Sequence, residues 1–184
     1  MPDRNVRPPN VSLIVGGQTF LSVSNKVSGR RHLDTERLEI NRRQLPHWRL
    51  RGATYLVTFR LSAGFLVEDE VLFVKQHIVS GHGRYYHLLA AQVMPDHVHL
   101  ILRPSEDFPL SRIMKGIKGV TARRLNLVRG KKGSLWQDEY LDRILRNETE
   151  LRQKLKYMLA NPLKANLCKD PWTYPGWYLN EEES

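Results

Sequence analysis

From residue 53 onward, the spacing of apolar and polar positions switches repeatedly between the strand and helix periods. "ATYLVTFRL" (53–61) is dense in β-branched and aromatic residues and predicts a strand. "EDEVLFVKQHIVSG" (68–81) predicts a helix, with acids in its first turn and a glycine after its end. "RYYHLLAAQVM" (84–94) and "HVHLILR" (97–103) predict two further strands. Pro95-Asp96 between them is a tight-turn signal, so the pair reads as a hairpin. "PLSRIMKGIKGVTARRLNLV" (109–128) predicts a long helix with Leu110, Ile113, Met114, Ile117, Val120 and Val128 on one face. "GSLWQDEYLDRILR" (133–146) predicts a turn and a fourth strand. "NETELRQKLKYMLANP" (147–162) predicts a helix capped by Asn147 and closed by Pro162. The order β-α-β-β-α-β plus a helix is that of an α+β, ferredoxin-like fold: an antiparallel sheet with helices on one face, extended by a C-terminal helix. Residues 1–45 lack sustained periodicity and read as an appended segment, flexible in part. Residues 46–170 form the domain, and 171–184 an aromatic, Pro-rich tail of irregular structure.

The third strand poses a chemical question. Alternate residues of a strand share a face, so His97, His99 and Ile101 point one way and Val98, Leu100 and Leu102 the other. The apolar set suits a face packed under helices. The two imidazoles lie roughly 7 Å apart at Cα on the opposite face, close enough to hold one ion. Two half-exposed histidines are the plain alternative. All seven histidines of the chain lie at or before His99. A third ligand later in the chain must therefore be an oxygen donor, and a mixed nitrogen and oxygen set suits Mg²⁺ or Mn²⁺.

In the last helix, Leu151, Leu155, Met158 and Leu159 make the apolar stripe. Tyr157 lies roughly 120° from its centre, on the side of Glu150, Lys154 and Asn161. An ordinary surface tyrosine is one reading. The other is that Tyr157 and Asn161, four residues apart, offer a hydroxyl nucleophile and an amide oxygen from one helix face. Lys154, one turn earlier, could help ionise that hydroxyl or hold a phosphate. Asn161 precedes Pro162, which disfavours helical angles and threatens the last turn.

The 184-residue chain carries a formal net charge of +10, which favours a polyanionic partner. A single cysteine, Cys168, excludes an intrachain disulfide and a thiolate zinc cluster, and fits a reducing cytoplasm. No apolar run approaches the ~20 residues of a membrane helix, and the polar start is not a signal peptide. Between Leu110 and Gln137 stand eight basic residues and no acid: Arg112, Lys115, Lys118, Arg123, Arg124, Arg129, Lys131 and Lys132. A solvated helix face is the bland reading. A block of one sign favours a phosphate track, with Trp136 either stacking on an unpaired base or sitting in the core.

"VMPDHVHLIL", "SLWQDEYLDRIL" and "YMLANPLKANL", in this order and spacing, resemble the single-tyrosine HUH transposases, and in particular the REP-associated tyrosine transposases. "LPHWRLRGATYLVTFRL" is similar to the opening of that family's domain, and the resemblance runs from His47 to Asp170. It implies a divalent cation, Mg²⁺ or Mn²⁺, held by His97, His99 and Asn161, with Tyr157 as nucleophile. It also implies transesterification on single-stranded DNA, often at a hairpin, through a 5′-phosphotyrosine link and a free 3′-hydroxyl. The expected DNA contacts are Arg112, Lys115, Arg123, Arg124, Lys131, Lys132, Trp136 and Lys154. The expected setting is the bacterial cytoplasm, on nucleoid DNA, as a monomer or a homodimer that exchanges the tyrosine helix. Two other readings share these residues: a domesticated hairpin-binding module with little cleavage, and a metal-dependent phosphodiester hydrolase that uses water.

Overall fold

The structure, a computed structural model, describes residues 52–181 throughout and, before them, only the backbone of four short strands. Strand β1 (Ile14–Val15) pairs with β2 (Gln18–Thr19), and β3 (Leu38–Arg42) with β4 (Pro46–Leu50), both antiparallel. The reading of residues 1–45 as a partly flexible appendage lies outside the described residues. The chain divides into two compact units, Met1–Leu33 and Asp34–Ser184, and every candidate residue falls in the second.

That second unit is built on one five-stranded antiparallel sheet. Its elements are β5 (Thr54–Arg60), α1 (Glu68–Val79), β6 (Tyr86–Val93), β7 (His97–Pro104), α2 (Leu110–Val128), β8 (Leu141–Leu145), α3 (Glu148–Lys164) and β9 (Trp177–Leu179). The spatial order is β8-β5-β7-β6-β9. Its first four strands stand fourth, first, third, second in chain order, the ferredoxin-like arrangement that the element sequence predicts.

Period-two alternation sorts the side chains into two layers. Tyr55, Val57 and Phe59 of β5 and Val98, Leu100 and Leu102 of β7 are buried beneath α1 and α2, together with Val74, Ile78, Ile113, Met114 and Ile117. Each such side chain, fully buried, contributes about 1.5–3 kcal/mol. The opposite face carries a smaller cluster, Leu89, Ala90, Ile101, Leu145 and Met158, with Leu151 and Leu155 packed against it. Met158, Leu151 and Leu155 belong to α3, so this helix covers the face that α1 and α2 leave open. It is the same face onto which β7 directs His97 and His99.

The helix ends follow from their side chains. The Glu70 carboxylate accepts from the Val67 N–H at 3.0 Å at the start of α1. Asn147 Oδ1 accepts from the Glu150 N–H at 2.8 Å at the start of α3, as the sequence predicts. Along α2 the stripe departs from expectation after Ile117. Val128 is 67% exposed, and the buried positions continue through Thr121 and Leu125. Thr121 reads as polar in sequence, but its hydroxyl is satisfied internally, donating to the Ile117 carbonyl at 2.7 Å.

The tail also departs from expectation. Residues 177–179 form β9 along the free edge of β6, with Gln92 opposite Trp177 and Ala90 opposite Leu179. Three residues are too few to show a period, and Pro171 and Pro175 before them read as punctuation. The tail is fastened by Tyr174, whose hydroxyl donates to the Val93 carbonyl at 3.1 Å. Gly176 makes this closeness possible: a Cβ there would lie 2.1 Å from the Val93 carbonyl oxygen and 2.6 Å from the Tyr174 ring. Gly176→Ala is therefore expected to destabilise the protein by about 2 kcal/mol or more. Limited proteolysis should then release the tail before the rest of the domain is cut.

Candidate active site

The site is assembled by β7, the neighbouring strand β5 and the helix α3. Register sets His99 of β7 opposite Thr58 of β5, and His97 opposite Arg60. Each imidazole is held through Nδ1. His97 Nδ1 lies 2.7 Å from Asp96 Oδ1, and a carboxylate can only accept, so Nδ1 carries a proton and Nε2 is the nitrogen left for another partner. His99 Nδ1 lies 2.7 Å from Thr58 Oγ1, and in the tautomer that donates to this oxygen its Nε2 is a lone pair. The two rings meet edge to face, centroids 4.8 Å apart.

His99 is 7% exposed. Burial, with His97 and the Arg60 guanidinium nearby, pulls its pKa down to about 4. It is therefore neutral at pH 7, the form that binds a cation. Its Nε2 is buried without a hydrogen-bond partner.

The tyrosine arrives from above. The Tyr157 ring lies edge to face with His99 at 5.8 Å between centroids, and Tyr157 is 48% exposed. Nucleophile candidate and histidine pair thus meet within a single chain. Asn161, on the same side of α3 one turn on, is buried, and its Nδ2 has no hydrogen-bond partner. Pro162 does not end the helix as the sequence predicts. α3 runs on to Lys164, and the Asn161 carbonyl accepts from the Ala165 N–H at 3.0 Å. Proline removes one hydrogen bond and crowds the carbonyl four residues back, yet the turn that carries Asn161 survives.

Among the described residues, no cluster of three or more His, Cys, Asp or Glu side chains exists to hold a metal. His99 Nε2 and the Asn161 amide are left unpartnered, and with His97 they fit another donor set. Two imidazole Nε2 lone pairs and a carboxamide, which presents oxygen when it turns about its plane, suit a six-coordinate cation that keeps several waters.

The expected DNA contacts divide. Arg112, Lys115, Arg123, Arg124, Lys131 and Lys132 are all exposed. They belong to α2 and the loop after it, and α2 packs on the face opposite the histidines. They do not line the Tyr157 site. Lys154 is on α3, one turn before Tyr157 and half-buried.

Trp136 cannot serve as a stacking platform. It is 2% exposed, donates from Nε1 to Thr121 Oγ1 at 2.9 Å, and packs edge to face on Phe59 at 4.8 Å. Lys118 is used internally, donating to the Gln137 and Asp138 carbonyls at 2.7 Å each. Arg129 is also withdrawn from the track, with Nε at 2.6 Å and Nη2 at 2.5 Å from the Glu70 carboxylate. The Arg129 guanidinium holds the Glu70 carboxyl below its ordinary range. Arg129→Ala would strand that carboxylate, so a stability loss of about 2–3 kcal/mol is expected from denaturant melts. DNA affinity, measured alongside, should stay unchanged.

Sequence reasoning missed four neighbours of the site. Asp96 reads as a turn residue, and Thr58 as one more strand residue until register pairs it with His99. Arg60 lies 3.8 Å from Asp96. Lys164 sets its Nζ over the Tyr157 ring at 5.4 Å. Only Lys164 left a signal, its position seven residues after Tyr157, two helical turns along the same face.

Residues 69–159 match the family model described as "Transposase IS200 like". Through this stretch the chain belongs to the IS200-like transposase family. The fold of this transposase domain is also that of a solved REP-associated tyrosine transposase bound to a REP hairpin. The two share 22% identity and a TM-score of 0.55, over 70% of this chain and 77% of that one. A Deinococcus radiodurans structure named as a transposase matches at 24% identity and a TM-score of 0.42, over 59% of this chain and 88% of that one. No curated protein matches the sequence. Among the described residues of the transposase domain, no helix is long and apolar enough to cross a membrane.

Proposed function

We propose that this chain is a metal-dependent single-stranded DNA nuclease and strand transferase that works through a 5′-phosphotyrosine intermediate at DNA hairpins. One observation carries the reading: the half-exposed phenol of Tyr157 stands against the buried, neutral His99 of its own chain. His97, His99 and Asn161 would hold the divalent cation, Mg²⁺ or Mn²⁺. When bound, that cation would supply Lewis-acid polarisation of the scissile phosphate.

The chain's own residues do the rest. Asp96 and Thr58 hold the two imidazoles by their Nδ1 atoms, which would leave the Nε2 atoms for the cation. Lys164, whose Nζ lies 5.4 Å from the centre of the Tyr157 ring, would meet the non-bridging oxygens of the phosphate. The Tyr157 oxygen, giving up its proton to solvent, attacks phosphorus while the 3′-oxygen of the preceding nucleotide leaves and takes up a proton from solvent. One phosphate ester replaces another, so a different 3′-hydroxyl can reverse the step and join strands. The setting we assign is the cytoplasm, on chromosomal DNA.

The test is a labelled hairpin oligonucleotide incubated with the protein and Mn²⁺, then resolved on a denaturing protein gel. A labelled band at the mass of protein plus DNA supports the reading. Binding with no adduct would leave a DNA-binding module in its place, and cleavage that survives Tyr157→Phe a water-using hydrolase.

A further inference from the structure

The strand β6 contains one irregularity, and it falls beside the site. Leu88 pairs with Leu102, but the next paired residue, Ala90, faces Ile101, so Leu89 is an extra residue in the ladder. The insertion reverses the facing of everything after it. Leu88 packs in the layer under α1 and α2, whereas Ala90 packs in the layer under α3. Without the bulge, Gln92 would share the face of Leu88 and enter the main core. With it, Gln92 stands directly opposite His99 on β7, on the face of the histidines. Cross-strand partners hold their Cβ atoms about 4.5–5.5 Å apart.

Gln92 is fully buried, yet its hydrogen bonding is incomplete. Its Nε2 donates to the Met94 thioether at 3.7 Å. A thioether accepts and cannot donate, so the amide nitrogen turns to sulfur and the oxygen turns away. That oxygen, Oε1, is buried without a partner. Gln92 Oε1, His99 Nε2 and the Asn161 carboxamide are then three incompletely satisfied polar groups on one face of the sheet. A buried amide oxygen with no donor costs about 1–3 kcal/mol, and a leucine in its place would not. The bulge therefore turns a costly group onto the face that carries the other two.

We propose that Gln92 is a further oxygen donor of the ion site, its Oε1 facing the divalent cation beside His99. The proposal deepens the reading given under Proposed function and rests on it.

Manganese binding to the full chain, followed by calorimetry and by the Mn²⁺ paramagnetic resonance signal without DNA, tests it apart from cleavage. Gln92→Leu keeps the volume and removes the oxygen. It should weaken Mn²⁺ binding by about 10-fold or more. The melting temperature of the metal-free protein should stay level or rise, because the orphaned amide is gone. Gln92→Glu should tighten Mn²⁺ binding and lower the metal-free melting temperature. Two results would overturn the proposal in distinguishable ways. If His99→Ala weakens Mn²⁺ binding and Gln92→Leu leaves it unchanged, Gln92 is a core amide and the ion site stands without it. If neither substitution changes it, the ion site itself is refuted.

Discussion

Replacing Tyr157 by phenylalanine is expected to abolish the protein–DNA adduct and to slow hairpin cleavage by at least about 1000-fold, or about 4 kcal/mol of barrier. The substitution removes one oxygen from a half-exposed ring. The ring's own contacts, edge to face with His99 and beneath the Lys164 ammonium, do not use that oxygen. The variant should therefore fold with an unchanged melting temperature and bind hairpin DNA with unchanged affinity. Those two readouts separate a lost nucleophile from a damaged site. Residual cleavage near the parent rate would show that a water molecule, not the phenol, attacks phosphorus.

The second large effect is one of pH. In metal-free protein, stability is expected to fall by at most about 3 kcal/mol as pH drops from 6.5 to 4. In the unfolded chain the His99 imidazole takes up its proton near its ordinary value of about 6.5. In the folded protein, burial postpones that uptake to about pH 4. Between the two values the unfolded state binds more protons, so acid favours unfolding. Above about 6.5 neither state is protonated at His99 and its contribution is constant. Below about 4 both are protonated and the loss is complete. Denaturant melts in the presence of chelator, repeated across this range, give the slope. The His99→Gln protein should show a flatter profile by that amount. His77, also held down by burial, and Glu70, held down by Arg129, act equally in both proteins and cancel in the comparison. Equal slopes for the two proteins would mean that His99 titrates normally in the fold.

The parts of this domain that depend on local chemistry were readable from the chain. The alternation of β7 separates His97 and His99 from Val98 and Leu100 without any tertiary information. The Asn147 cap and the acids after it fix the start of α3, and hence the facing of Tyr157 and Asn161. What escaped the sequence depends on partners distant along the chain. Arg129 looks like one more cation until Glu70, 59 residues earlier, takes it up. Trp136 looks like a stacking ring until Thr121 accepts its N–H. The facing of Gln92 hangs on a single unpaired residue, Leu89, in a run of apolar letters that would read the same with or without a bulge. That α3 crosses to the face opposite α1 and α2 is likewise written nowhere in its own amphipathic pattern.

That crossing has a kinetic consequence. In the proposed reaction, α3 sets Tyr157 against His99 of its own chain, so no encounter between two protein molecules would have to precede the attack. The fraction of molecules that capture a strand would then depend on DNA supply and time, not on how crowded the protein is. A severed 5′ end would stay anchored to the molecule that cut it, so dilution would not separate cutting from resealing.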